Sequence, residues 1–126
     1  MNQLSHTAHN ALHALATCHQ TCHSMAMVHC LELGGDHARP QHLRLMQDCA
    51  DICAVTADFI GRKSQFHTQI SAFCVQICET CAEACEKLGR MEACVTACRE
   101  CAARCRDVAR SGQAAALNAG AAHPPT

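Results

Sequence analysis

The sequence predicts an all-α fold, an antiparallel up-down-up-down four-helix bundle with a cysteine-lined core. Three observations carry this expectation. Cysteines recur at intervals of four and three residues, the spacing that keeps side chains on one face of a helix. Breaker residues cut the chain into four segments joined by short connections, which favours antiparallel neighbours. Ala, Leu, Glu, Arg and Gln fill most other positions, while Thr and Val are too scattered to build strands.

The first segment runs from about Ser5 to Leu33 and stops at Gly34-Gly35-Asp36. The second starts near Pro40, whose fixed φ and missing N–H suit a first helical turn, and ends near Gly61. The third opens around Ser64 as N-cap and closes at Leu88, with Gly89 as its C-terminal cap. The fourth spans about Arg90 to Arg110 and stops at Ser111-Gly112. Residues 1–112 are therefore expected to form the bundle. The Ala/Pro-rich stretch 113–126, ending in His123-Pro124-Pro125-Thr126, is expected to be a frayed tail.

A chain of 126 residues has the length for one core. Its formal charge of −1 gives it no electrostatic pull toward nucleic acid or an anionic membrane. No apolar run approaches the roughly 20 residues that span a bilayer. Met1 to His13 holds three His, no basic cluster and no apolar stretch, so no export signal is read there and a cytoplasmic location is expected. The chain has no Trp or Tyr and only three Phe, against 13 Cys and 10 His. With bulky fillers nearly missing, cysteine must occupy much of the interior. The odd cysteine count, the expected reducing compartment and the scarcity of Gly/Pro-rich loops argue for metal rather than a disulfide framework.

The cysteines mark the seam of the bundle. The third segment carries Cys74, Cys78, Cys81 and Cys85, and the fourth repeats the pattern with Cys94, Cys98, Cys101 and Cys105. This is the a/d pattern of a helical core with cysteine in place of leucine. The seam extends to Leu88, Met91 and Val108. The first segment has Cys18 and Cys22, continued by Met25 and His29; the second has Cys49 and Cys53, flanked by His42, Met46, Thr56 and Ile60. Cys30 stands one residue off the first stripe. A single buried Cys is an ordinary small hydrophobe. Twelve on interior stripes would pack poorly by themselves and leave space for an occupant.

Counting outward from each turn pairs Cys85 with Cys94, Cys81 with Cys98, Cys78 with Cys101, Cys74 with Cys105, Cys22 with Cys49 and Cys18 with Cys53. It also sets Cys22 and Cys49 level with Cys74 and Cys105. The next layers toward the turns then hold Met25, Met46, Cys78 and Cys101, followed by His29, His42, Cys81 and Cys98. An entrance is expected at the end bearing Cys85, Cys94, Met91, Cys30 and the two His. Leu4, Ala8, Leu12, Leu15, Ile60 and Phe66 are expected to close the other end. His19, His23, His37 and His67 read as solvent-facing, and His6, His9 and His13 as a solvated face rather than a metal patch.

Cβ atoms four residues apart on a helix lie about 5–6 Å from each other. Each Cys-x3-Cys pair can therefore bring two sulfurs to the roughly 4–5 Å that a two-coordinate ion bridges, and soft sulfur selects Cu(I). Charge argues the same way: a row of buried thiolates is costly, and one Cu(I) per thiolate neutralises it. Zinc in four-cysteine sites would leave two surplus negative charges at each, with few basic residues inside to absorb them. Iron–sulfur, zinc-finger and di-iron patterns do not match the spacing. Cys78-Cys81 and Cys98-Cys101 sit mid-helix and face inward, against the exposed helix-N-terminal CxxC of thiol redox enzymes. Met25, Met46, Met91, His29 and His42 are weaker Cu(I) donors suited to passing ions inward. The expected function is high-capacity Cu(I) sequestration without catalysis. Zinc buffering and a thiol redox or sensor protein are the alternatives.

The motifs Cys18-x3-Cys22, Cys49-x3-Cys53, Cys74-x3-Cys78-x2-Cys81-x3-Cys85 and Cys94-x3-Cys98-x2-Cys101-x3-Cys105 resemble the bacterial copper storage proteins, a family of Cys-rich four-helix bundles. The resemblance implies a homotetramer of bundles that each take up many Cu(I) ions, with a His or Met mouth at one end. It looks closest to the cytosolic branch. Ala11, Leu15 and His42 occupy stripe positions that can be Cys in richer members, so a capacity of about a dozen ions is expected, one per thiolate.

Overall fold

The computed structural model describes the backbone of residues 4–122 and the side chains through Gly112. Four long helices and no strand occur among the described residues. Helix α1 (His6–Ser24) opens on Ser5, whose hydroxyl accepts the Ala8 N–H at 3.1 Å. A π-helical turn, Met25–Cys30, and a short α-helical turn, Leu31–Leu33, continue it. Gly34 and Gly35, at φ 68° and 55°, turn the chain through a 3-10 segment, Gly35–Ala38. Helix α2 (Pro40–Gly61) then begins with its proline in the first turn. Helices α3 (His67–Leu88) and α4 (Glu92–Ala122) follow. Each helix packs against its sequence neighbour and α4 returns against α1, closing an antiparallel ring.

Three boundaries differ from the sequence expectation. Helix α3 starts at His67 rather than Ser64, because Ser64 heads a turn: its hydroxyl accepts the Phe66 N–H and its carbonyl accepts the His67 N–H. Helix α4 starts at Glu92 rather than Arg90, since Arg90 has a left-handed φ of 61°. It also runs on through Ser111-Gly112, where a stop was expected. The Ala-rich sequence sustains the helix, as one glycine costs only about 1 kcal/mol there. Gly112 serves a close approach instead, because a Cβ there would collide with Thr68. The expected tail end at His123-Pro124-Pro125-Thr126 lies outside the described residues.

The π turn settles where Cys30 sits. An i→i+5 turn is wider than an α turn, so it carries the line from Cys22 to Ala26 and on to Cys30, all fully buried. Cys30 is therefore part of the interior, and Met25 and His29 are only half-buried. The α2 stripe behaves as the sequence predicts: His42, Met46, Cys49, Cys53, Thr56 and Ile60 form its buried face. Ala11 and Leu15 on α1, and Met91 and Val108 on the other side, are buried as well.

The two hairpins are not level with each other. Cys22 lies 3.6 Å from Cys94 and 3.5 Å from Cys98, not beside Cys74 and Cys105. The α1–α2 hairpin is thus shifted by roughly seven residues, about 10 Å at helical rise, against the layers expected from counting. The count assumed equal turns. The first connection is longer, and it folds over the second: the His29 Nε2 bonds to the Arg90 carbonyl at 2.7 Å and the His37 Nε2 to the Gly89 carbonyl at 2.9 Å. Hence His29, Met25, Met46 and His42 do not share layers with Cys78, Cys81, Cys98 and Cys101 as expected.

The end away from these turns is apolar. Leu15 and Ile60 are buried, with Ala8 and Leu12 packed against them. Phe66 departs from the expectation: it is 53 % exposed, because it stands at the α2–α3 turn outside the helical stripe.

Candidate metal centre

All 13 cysteines are free and fully buried. Twelve of the sulfurs, all but that of Cys30, form one continuous column along the bundle axis. Four groups of four sulfurs each lie within 4.8 Å of one another: Cys22, Cys81, Cys94 and Cys98; Cys18, Cys22, Cys49 and Cys98; Cys18, Cys49, Cys53 and Cys78; and Cys53, Cys74, Cys78 and Cys101. Successive groups share two members, so six of the cysteines belong to two groups at once. Cys85 joins the upper end, 3.5 Å from Cys94, and Cys105 joins the lower end beside Cys74 and Cys101. Of the expected pairs, Cys22–Cys49 stands at 3.9 Å and Cys85–Cys94 at 3.5 Å.

The pairs within one helix are nearly set for bridging. Cys18–Cys22 is 3.9 Å, Cys74–Cys78 is 3.8 Å and Cys94–Cys98 is 3.9 Å between sulfurs. A small χ1 rotation reaches the roughly 4–5 Å of a linear S–metal–S unit. The only buried polar or charged residues besides thiols are His42, Thr56 and Ser71 among the described residues. Among the described residues no buried Lys or Arg is there to balance surplus thiolate charge. Glu79, Glu83, Glu86 and Glu100 all lie exposed, so no carboxylate competes for the column.

The thiols titrate as a coupled set. Hydrogen bonds with neighbouring thiols first, and burial after them, push Cys22, Cys53, Cys78, Cys85, Cys98 and Cys105 above the ordinary thiol value. Cys18, Cys49, Cys74 and Cys94 are held down by the thiols bonded to them, Cys101, Cys18, Cys101 and Cys22 foremost in turn. Cys30, Cys81 and Cys101 are also raised, so nine are raised against four lowered. A raised thiol stabilises the fold fully below its unfolded value, ordinarily 9.0, and that stability is lost as pH rises through the folded value. The lowered thiols act in the opposite sense and are outnumbered. The reduced metal-free protein is therefore expected to lose stability as pH rises past about 9. A urea midpoint that stays flat or climbs between pH 8 and pH 10.5 would contradict this.

Above the column, Cys30 makes a separate group. Its sulfur lies 3.7 Å from His42 Nε2, 3.8 Å from Met46 Sδ and 3.7 Å from Met91 Sδ. Burial, then repulsion from Cys94 and Cys81, raises the Cys30 thiol, and burial lowers the His42 imidazole. One surface recess at this end reaches Cys85 and Met91, and another, between the 3-10 segment and α3, reaches His42. Of the other residues singled out from the sequence, Met25 packs half-buried against the core and His29 holds the Arg90 carbonyl. His19, expected to face solvent, is half-buried and bonds the Ala50 carbonyl at 2.7 Å. His37 and His67 are half-buried too, each bonding a turn carbonyl, while His23 is exposed. His6, His9 and His13 are exposed as expected. Sequence reasoning missed the tie from His37 to Gly89; nothing in local spacing signals a bond made across two turns.

A family model described as copper storage protein matches residues 4–110. Among solved structures, a protein from Nitrosospira multiformis, Nmul_A1745, is 43 % identical, with a TM-score of 0.80 over 82 % of this chain and 95 % of that one. The Cu(I)-bound copper storage protein BsCsp3 is 33 % identical, with a TM-score of 0.74 over 82 % of this chain and 98 % of that one. The metal-free copper storage protein 3 from Bacillus subtilis is also 33 % identical, at a TM-score of 0.68 over 81 % and 98 %. No curated protein matches the chain.

Proposed function

The chain belongs to the copper storage protein family, and from that premise we propose that its sulfur column is a hold for about one Cu(I) per thiolate. Copper is the cargo, and no catalysis is part of this reading. The observation that carries it is the overlap of the four-sulfur groups. Four independent zinc sites would each need their own tetrad. Here ten sulfurs serve all four groups, so neighbouring ions must share bridging thiolates. Bridged Cu(I) at one ion per sulfur is neutral, which suits an interior without cations. A thiol redox or sensor role needs an accessible cysteine, and every cysteine here is buried.

Ions enter, in this reading, at the end carrying Cys85, Met91 and His42, where the two recesses reach inward. A cytoplasmic home is part of this reading, supported by the odd count of 13 cysteines, which does not suit a disulfide framework. No helix among the described residues is long and apolar enough to cross a membrane. A homotetramer is the proposed assembly, as the sequence resemblance implies, and the exposed Val55 and Phe73 on the face between α2 and α3 support an interface there. The test is an anaerobic Cu(I) titration of the reduced protein against a competing chelator. Uptake of about a dozen ions per chain before the chelate signal appears is expected. Saturation at one or two ions, or tight zinc uptake at the same stoichiometry, would overturn the reading.

A further inference from the structure

We propose that His19 and His23, on the outer flank of the bundle where α1 meets α2, chelate one borderline divalent cation of the Zn(II) or Cu(II) kind. The site is independent of the sulfur column. The two residues stand four apart in α1, a spacing that sets Cβ atoms about 5–6 Å apart on one helix face. Their rings are parallel, with 6° between the planes and 6.3 Å between centroids. Each follows a column cysteine, Cys18 or Cys22, but turns the other way: the sulfurs are buried, while His19 is half-buried and His23 exposed.

The way each ring is held makes the pair more than two surface imidazoles. His19 donates its Nδ1–H to the Ala50 carbonyl at 2.7 Å, and His23 donates its Nδ1–H to Gln47 Oε1 at 3.1 Å. A carbonyl oxygen can only accept, so each neutral ring carries its proton on Nδ1 and keeps a free lone pair on Nε2. One ring nitrogen bonded to a carbonyl and the other left free is how metal-ligating histidines are set, because the outer bond fixes tautomer and ring orientation. Both anchors belong to α2, so both free nitrogens lie on the ring edges turned away from that helix. Zn–N bonds of about 2.0–2.1 Å need the rings somewhat closer than they stand, a tilt within the broad χ2 well of histidine.

The same helix contains a built-in comparison. His9 and His13 repeat the four-residue spacing and are exposed, yet neither ring has a hydrogen-bond partner among the described residues. They offer the same donors without the anchoring.

Donor chemistry selects the ion. Imidazole suits zinc and divalent copper, whereas Cu(I) goes to thiolate, which this flank does not present. Two protein ligands leave the remaining coordination positions to water, so the ion exchanges with solvent instead of being stored.

The test is NMR of full-length reduced protein carrying ¹⁵N-labelled histidine, loaded with Cu(I) so that its thiols are occupied, and titrated with Zn(II) alone. The Nε2 signals of His19 and His23 are expected to shift together and to saturate at one Zn(II) per chain, before His9 and His13 respond. His23→Gln, a change at an exposed position, is expected to remove the joint response. Gln47→Ala is expected to weaken binding about tenfold by releasing the His23 ring. If His9 and His13 respond first or at the same Zn(II) concentration, spacing alone governs binding and the proposal falls. It falls equally if only one ring of the pair responds, or if Gln47→Ala leaves the affinity unchanged. The readout sits on imidazole nitrogens, so a column that fails to take Cu(I) would sink the storage reading while the two rings still report on this site.

Discussion

Saturation with Cu(I) is expected to raise the thermal unfolding midpoint of the reduced protein by tens of degrees. A ligand that binds only the folded state adds about 4 kcal/mol when its free concentration is a thousand times its dissociation constant. For a domain of this size each kcal/mol moves the midpoint by about 2–8 °C. Two or three such ions therefore suffice, and the column offers places for many more. The reason lies in the metal-free core. Thirteen buried cysteines supply little apolar volume, and nine of the thiols, Cys78 and Cys98 among them, resist ionisation inside the bundle. Ions fill that space and replace the protons. The unfolded chain also binds copper through its thiols, which reduces the gain but does not reproduce the preset sulfur spacing. Anaerobic calorimetry on metal-free, loaded and chelator-stripped protein measures the effect. A shift below about 5 °C at saturation would mean that folded and unfolded chains hold the ions equally well.

Ile60→Ala is expected to do the reverse: to weaken the fold by about 2–5 kcal/mol while leaving Cu(I) capacity unchanged. Ile60 is 2 % exposed and lies two helical turns below Cys53, in the half of the bundle closed by Leu15, Ala8 and Leu12. Its removal leaves a cavity in the region that must hold the helices together before any ion arrives. No sulfur is lost or moved. The metal-free variant should unfold about 10 °C or more below the parent. Under anaerobic titration the folded variant should still take up the parent's number of ions. A matching loss of capacity would show that the apolar end and the sulfur column are not separable parts.

The fold was legible because the breakers and the stripes agreed. Gly34-Gly35, Pro40 and Gly89 mark corners in the chain and in the structure alike. The α2 stripe from His42 to Ile60 was readable residue by residue, since α-helical periodicity is local. Gly112 misled because a glycine in sequence looks the same whether it ends a helix or lets two helices approach; its reason is Thr68, 44 positions away in the chain. Cys30 misled because a π turn changes the period midway along a stripe, and one widened turn brought it from the edge to the centre.

The sequence by itself determined the helices, the inward face of each, the sulfur character of the core and the charge argument that selects a monovalent soft ion. All of these follow from composition and from spacing within one helix. Tertiary structure alone decided the axial offset between the two hairpins, because that depends on how the first connection folds over the second. That offset sets Cys22 against Cys94 and Cys98, and so makes overlapping four-sulfur groups from stripes that could have met in another register. It also carries Cys30, His42 and Met46 above the column to meet Met91.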